Sequence, residues 1–157
     1  MDAQSPCCCR EVGDLVVIGM GDPDGLDVRV FATLDRIRMH GGQRWWLYAS
    51  TCNACGQDWL IAQEERIHDN YVLKRVDPIT MENIAKASDW SGDFLTFERV
   101  LRLERESGKI ARFVDPCSPA LVETVVDLRR ERADISIDDI ALALAISTES
   151  AARIARL

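Results

Sequence analysis

Tyr71-Val72-Leu73-Lys74-Arg75-Val76-Asp77-Pro78-Ile79-Thr80-Met81-Glu82-Asn83-Ile84-Ala85-Lys86-Ala87 contains the change of period that decides the fold. Tyr71 to Val76 reads as a strand, and Asp77-Pro78 ends it. Ile79 to Ala87 then reads as a helix with Ile84 and Ala85 on its apolar side. Everything upstream has the marks of short strands and tight turns. Most of the downstream chain has the marks of helix. The expected class is therefore α+β: an N-terminal antiparallel β-meander over residues 1–77, then a helical half over 78–157, forming one compact unit.

Working upstream, Trp59 to Glu65 is the preceding strand, and His68-Asp69-Asn70 is the turn after it. Before it stands Thr51-Cys52-Asn53-Ala54-Cys55-Gly56, a Cys-x-x-Cys-Gly turn. Arg44 to Ser50 alternates, with Trp45, Leu47 and Ala49 opposite Trp46 and Tyr48. Asp35 to Gln43 is polar and reads as a connection turning at Gly41-Gly42. In Leu26 to Leu34, Val28, Val30, Ala32 and Leu34 share one face against Arg29 and Thr33, the pattern of a half-buried strand. Leu15 to Ile18 is a first strand ending in the turn Gly19–Gly25. The sum is a meander of roughly five strands.

Downstream, Ser88 to Asp93 breaks the first helix. Thr96 is the expected N-cap of a second, with Phe97, Val100, Leu101 and Leu103 on its apolar side and Gly108 as its stop. Ile110 to Val114 reads as a short extended piece. Ser118 and Pro119 open a third helix, in which Leu121, Val122, Val125 and Leu128 form the apolar face.

Six cysteines occur at 7, 8, 9, 52, 55 and 117. Cys52 and Cys55 have the spacing of a zinc knuckle, in which a tight turn brings two thiolates to one ion. A structural zinc needs four ligands. Cys7 and Cys9 are the best second pair, because a chain end can fold over the turn. Cys117, His40 and His68 are the other candidates. Buried thiols without metal and a redox pair stay open as alternatives. The redox reading lacks the helix N-terminus that lowers a thiol's pKa.

The chain has 157 residues, 47% hydrophobic and 29% charged, with net charge −7. That composition is globular. Its acidity disfavours non-specific binding to nucleic acid or anionic membranes and suits a basic partner. No apolar run reaches the roughly 18 residues of a membrane span. Met1 to Pro6 lacks the basic and apolar parts of a signal peptide. A cytoplasmic location is the expectation. Asp22, Asp24 and Asp27 in the first turn lack the spacing of a calcium loop. With Glu64, Glu65 and Asp69 near the strand ends, they are the expected partner-binding acids. The sequence shows no phosphate loop, zinc-protease motif or nucleophile–base–orienter set. A non-catalytic chain is expected.

Ser136 to Leu157 resembles a helix-turn-helix unit. Ser136 caps its first helix, and Ile137, Ile140, Ala141 and Leu144 form the apolar side. Ile146 fills the turn, and Ser147 or Thr148 caps the second helix. Ala151, Ile154 and Leu157 face inward. The helix Pro119–Arg132 would complete a trihelical module over 118–157. The motif departs from the common pattern at Ala145, where many such units have glycine. The resemblance implies that Thr148, Glu149, Ser150 and Arg153 would meet base edges. Phosphate binding needs cations, yet from Ser136 onward Arg153 and Arg156 are outnumbered by Asp138, Asp139 and Glu149. Arg129-Arg130 offers one phosphate-contact region, offset by Glu131.

In size, charge and lack of catalytic residues the whole chain is similar to bacterial immunity proteins that inhibit nuclease toxins. That resemblance implies a cytosolic inhibitor of a basic protein. The alternative is a helix-turn-helix transcriptional regulator with a zinc- or thiol-containing β region.

Overall fold

A computed structural model describes residues 7–21, 23–41, 45–65, 67, 69–90, 92–107 and 118–156. The fold is α+β, with an antiparallel sheet in the N-terminal half and helices in the C-terminal half. The strands are β1 (Leu15–Gly19), β2 (Leu34–Gly41), β3 (Trp45–Cys52), β4 (Asp58–Glu64) and β5 (Asn70–Val76). They lie in the order β1-β5-β4-β3-β2, every neighbouring pair antiparallel. Strands β2 to β5 form the meander. The first strand lies beyond the last, so the chain crosses the sheet between β1 and β2.

That crossing corrects two expectations. Leu26–Phe31 is a short helix, α1, and not a strand. The local side chains explain why. Asp24 Oδ1 accepts from Leu26 N at 3.1 Å and Asp27 Oδ2 from Gly21 N at 3.0 Å. Gly25 takes a left-handed φ of 68° at the helix start. These bonds fix a turn before the alternation of valines can select extended backbone. Val30 is buried, whereas Val28 is left 70% exposed. The second correction is that the polar stretch from Asp35 is strand β2. It is the edge of the sheet, where charge is tolerated and guards a free edge. A register shift between Arg36 and Arg38 leaves Ile37 as a bulge.

The sheet is covered on one face by the helical half and on the other in part. On one, Leu47, Ala49, Leu60, Ala62 and Val72 join the core of α2 (Pro78–Ala87), α3 (Phe97–Glu106), α4 (Pro119–Glu131), α5 (Ile137–Leu144) and α6 (Thr148–Ala155). Trp45 ties the halves together. Its ring stacks on Phe97 at 5.4 Å, and its N–H donates to Phe94 O at 3.2 Å. On the other face, Ile18, Tyr48, Trp59, Ile61 and Leu73 pack with α1 and the segment carrying Cys7 and Cys9.

Helix starts follow the cap residues. Asp77, Thr96, Ser136 and Ser147 each accept from the backbone N–H three residues on. Ser118 occupies the N-cap of α4 but makes no side-chain cap bond. Gly108, Ile110–Val114, Cys117 and Leu157 lie outside the described residues. Helix α5 packs on α3, α4 and α6. Arg132, after α4, bonds Glu98 of α3 at 2.6 Å and Asp139 of α5 at 2.8 Å. Glu131 accepts from Phe97 N at 2.9 Å, placing a carboxylate on the N-terminus of α3. Ala145 adopts φ 56°, ψ 41°, the left-handed conformation that favours glycine.

One buried polar group carries no signal in the sequence. Glu64 and Asn70, paired across β4 and β5, are fully buried, and Glu104 of α3 is 1% exposed. Burial, reinforced by the neighbouring Glu64, pushes the Glu104 carboxyl well above the usual range, so it stays protonated. A folded value above the unfolded one contributes stability below the ordinary glutamate range, near about pH 4.3. That stability is lost as pH rises. Glu104→Gln keeps a neutral side chain of the same shape. It should gain stability over the native chain progressively as pH is raised from about 4.3, in urea melts run at a series of pH values. A stability difference that is flat with pH would refute a proton held on Glu104.

Candidate metal centre

The turn after β3 builds half of the site. Cys52 N donates to Gln57 O, and Gly56 N to Cys52 O, both at 2.9 Å. Gly56 closes the turn at φ 79°. The amides of Ala54 and Cys55 then point at Cys52 Sγ, and that of Gln57 at Cys55 Sγ. Such amide donors stabilise sulfur as thiolate and leave its remaining lone pairs for a metal.

The segment before β1 builds the other half. Trp59 Nε1 lies 3.4 Å from Cys9 Sγ. The Arg75 guanidinium sits 4.5 Å above the Trp59 ring and donates to the carbonyl oxygens of Cys9 and Val12, the latter at 2.7 Å. It also lies 3.3 Å from Asp14. These contacts fold the segment across β4 and β5 and carry Cys7 and Cys9 to the Cys52 turn.

The four sulfurs of Cys7, Cys9, Cys52 and Cys55 all lie within 4.8 Å of one another. A tetrahedral zinc with Zn–S bonds of about 2.3 Å sets its sulfurs about 3.8 Å apart. The cluster therefore needs only a small inward movement to reach that geometry. Cys7, Cys9 and Cys52 are buried and Cys55 is exposed. Without an ion the thiols are unequal. Burial works to raise the Cys52 thiol, but the Thr33 hydroxyl and the Cys55 and Ala54 amides outweigh it and bring the value down to about 6. Burial pushes Cys9 up to about 12 despite the Trp59 N–H. Burial also raises Cys55, ahead of its neighbours. One thiolate is thus ready to capture a cation, whose charge would then release the remaining protons.

The expected quartet comes together. Of the other candidates, His40 is on the exposed edge strand, 5.9 Å from the Trp90 ring. His68 and Cys117 lie outside the described residues. Cys8 is half-buried, its thiol raised by burial and then by Glu11. No disulfide links Cys7, Cys8, Cys9, Cys52 or Cys55. Thr33, Trp59 and Arg75 support the cluster from a distance in sequence, and no spacing rule joins them to the cysteines.

The expected acidic surface is partly rearranged. Glu64 is buried and its Oε1 accepts from Ile67 N at 2.6 Å, so it does not belong to an exposed face. Asp24 and Glu65 are exposed, and Asp27 and Asp69 are half-buried. Asp22 lies outside the described residues. The two acidic segments meet, because Met20 N donates to Asp69 O at 2.9 Å.

At the C-terminal end, Thr148, Glu149 and Arg153 of α6 are exposed. Ser150 is engaged with Ser147 at 2.9 Å. Arg129 donates to Ala155 O at 3.0 Å, and Arg130 lies 3.6 Å from Asp127. Of the two cations of the expected phosphate-contact region, Arg129 is bonded within the helical half and Arg130 is exposed beside the Asp127 carboxylate. Among the described residues, no helix is long and apolar enough to cross a membrane. No family model, curated protein or solved structure matches the chain.

Thr33→Val removes the hydroxyl, 3.4 Å from Cys52 Sγ. In the metal-free chain it should move Cys52 above its value of about 6 and slow its alkylation by iodoacetamide at pH 7. An unchanged pH profile, read by peptide mass spectrometry, would show that the hydroxyl does not act on the thiol.

Proposed function

We propose that the chain is a non-catalytic binding protein, its N-terminal segment locked to the sheet by a structural zinc ion and its acidic ledge receiving a basic protein. The observation that carries the zinc reading is the closed set of four thiols. Four cysteines fill a zinc coordination sphere, as in structural sites, whereas catalytic sites keep a position open for water or substrate. The zinc would contribute stability and order to residues 7–12, and the chain's own residues would hold it: Cys52 and Cys55 from the β3 turn, Cys7 and Cys9 from the segment that Trp59 and Arg75 pin.

The partner reading is supported by the meeting of the two acidic segments. Asp24, Asp27, Glu65 and Asp69 gather at one end of the sheet, beyond β1 and β5. Such a ledge steers a basic partner and raises the association rate. This is the behaviour expected of an immunity protein that neutralises a cationic toxin in the cytoplasm. A second reading, a trihelical helix-turn-helix module that reads DNA, is favoured by one observation. Ala145 adopts the left-handed turn between α5 and α6 that such units commonly give to glycine. The internal bond of Arg129 and the acids Asp127 and Glu131 beside Arg130 count against it.

Protein purified without chelator should carry about one equivalent of zinc, and Cys9→Ser or Cys52→Ser should leave less than about half, by elemental analysis. A native chain without metal would refute the centre. For the partner, any basic polypeptide encoded in a reading frame next to this chain's gene should form a complex on co-expression. Asp24→Lys with Glu65→Lys should slow its association about tenfold at low salt. Absence of a complex, together with a salt-sensitive shift of the chain's own promoter fragment, would move the assignment to the second reading.

A further inference from the structure

The sheet face opposite α2–α6 is covered only in part. Around the cysteines it is sealed by the N-terminal segment. Beside that seal a cleft of about 530 Å³ remains open under α1. Its floor crosses four strands, from Tyr71 on β5 through Ile61 on β4 and Tyr48 on β3 to Arg36 on β2. At a strand spacing of about 4.8 Å, the span from β5 to β2 is about 14 Å. Cleft volumes of this order are usual for small ligands.

The two ends differ chemically. At the β5 end Phe31 and Tyr71 meet at 4.6 Å, tilted by 58°, and Asp27 stands on the wall. Asp27 has one oxygen committed to Gly21 N. Burial, then the charge of Asp27, raises the Tyr71 phenol, so it stays a neutral donor. At the β2 end the Arg36 guanidinium lies 3.9 Å over the Tyr48 ring. This stacking holds the side chain in place. Arg36 forms no ion pair among the described residues, in a chain of net charge −7. Between the ends, Ser50 lines the cleft at 4% exposure. Its hydroxyl has no hydrogen-bond partner among the described residues. A hydroxyl that opens onto the cleft is placed to bond a ligand there.

We propose that this cleft binds a small, elongated aromatic acid, its carboxylate on Arg36 and Ser50 and its ring over Ile61 and Tyr48, towards Phe31 and Tyr71. The reversed pose would place the carboxylate beside Asp27 and is rejected by like charge. The aromatic walls supply area at low entropic cost, and the arginine–carboxylate pair sets direction. The proposal is independent of the metal reading, since it uses none of the cysteines, and it shares only Asp27 with the acidic ledge.

The test uses the full chain with two probes of equal size, 2-naphthoate and neutral 2-naphthamide, by titration calorimetry and amide chemical-shift mapping. The expected result is saturable one-to-one binding of naphthoate, with shifts centred on β2, β3 and α1. Arg36→Gln should weaken naphthoate about tenfold or more, the scale of a charge-assisted bond, while leaving naphthamide unchanged. Val28→Trp should weaken both probes, because Val28 lines the mouth from α1 and is exposed in the free chain. Non-saturable naphthoate binding, equal affinity for the two probes, or no effect of Arg36→Gln would each overturn the proposal.

Discussion

Strand β4 is the constraint on which the rest depends. Trp59, Leu60, Ile61 and Ala62 are each at most 1% exposed, and they alternate between the two faces of the sheet. Such a strand must be hydrogen-bonded along both edges and covered on both sides. Strands β3 and β5 supply the edges. Leu60 and Ala62 call for a helical layer, which Trp45 ties through Phe94 and Phe97. Trp59 and Ile61 call for a second cover, and the chain has no helix long enough left for it among the described residues. The cysteine-bearing segment and α1 provide that cover, and they fall short of the β2 side. Both the thiol cluster and the open cleft are consequences of covering one face with so little chain.

The sequence makes this architecture legible where one local cause dominates. Asp77-Pro78 breaks the sheet and starts α2, because aspartate caps and proline suits the first helical turn. Ser136 and Ser147 cap α5 and α6 as their positions in the sequence indicate. The cysteine quartet is readable from ligand arithmetic, since two thiols of a knuckle need two more. Pattern fails at Leu26–Phe31, where bonds from Asp24 and Asp27 to the backbone outweigh a valine alternation. It fails again at Asp35–His40, where polarity marks an edge strand and resembles a loop. Glu64 has the sequence setting of a surface charge, and its burial is set from far along the chain, by Glu104 of α3. Arg36, Ser50 and Tyr71 carry no motif, and only strand register brings them together.

The two sets of charges have distinct uses. Arg75, Arg129 and Arg132 are bound to carbonyls or carboxylates of other segments and hold those segments together. Their bonds are mostly partly exposed, and each contributes modestly. Arg36 lies over the Tyr48 ring, with Nη1 3.8 Å from Met39 Sδ, and forms no ion pair among the described residues. Of the ledge acids Asp24 and Glu65 are exposed, whereas Asp27 has one oxygen bonded to Gly21 N and the other buried.

The pairing of β1 with β5 also dictates an order of events during synthesis. The segment with Cys7 and Cys9, and the strand after it, are made before the strands they pack against. Strand β1 has no edge to join until Val76 has been made, and Cys9 has no cover until Trp59 and Arg75 are in place. Contacts of such sequence separation form late in folding. For the whole of that interval three adjacent thiols stand in water. Burial of Cys7 and Cys9 in the finished fold ends that exposure.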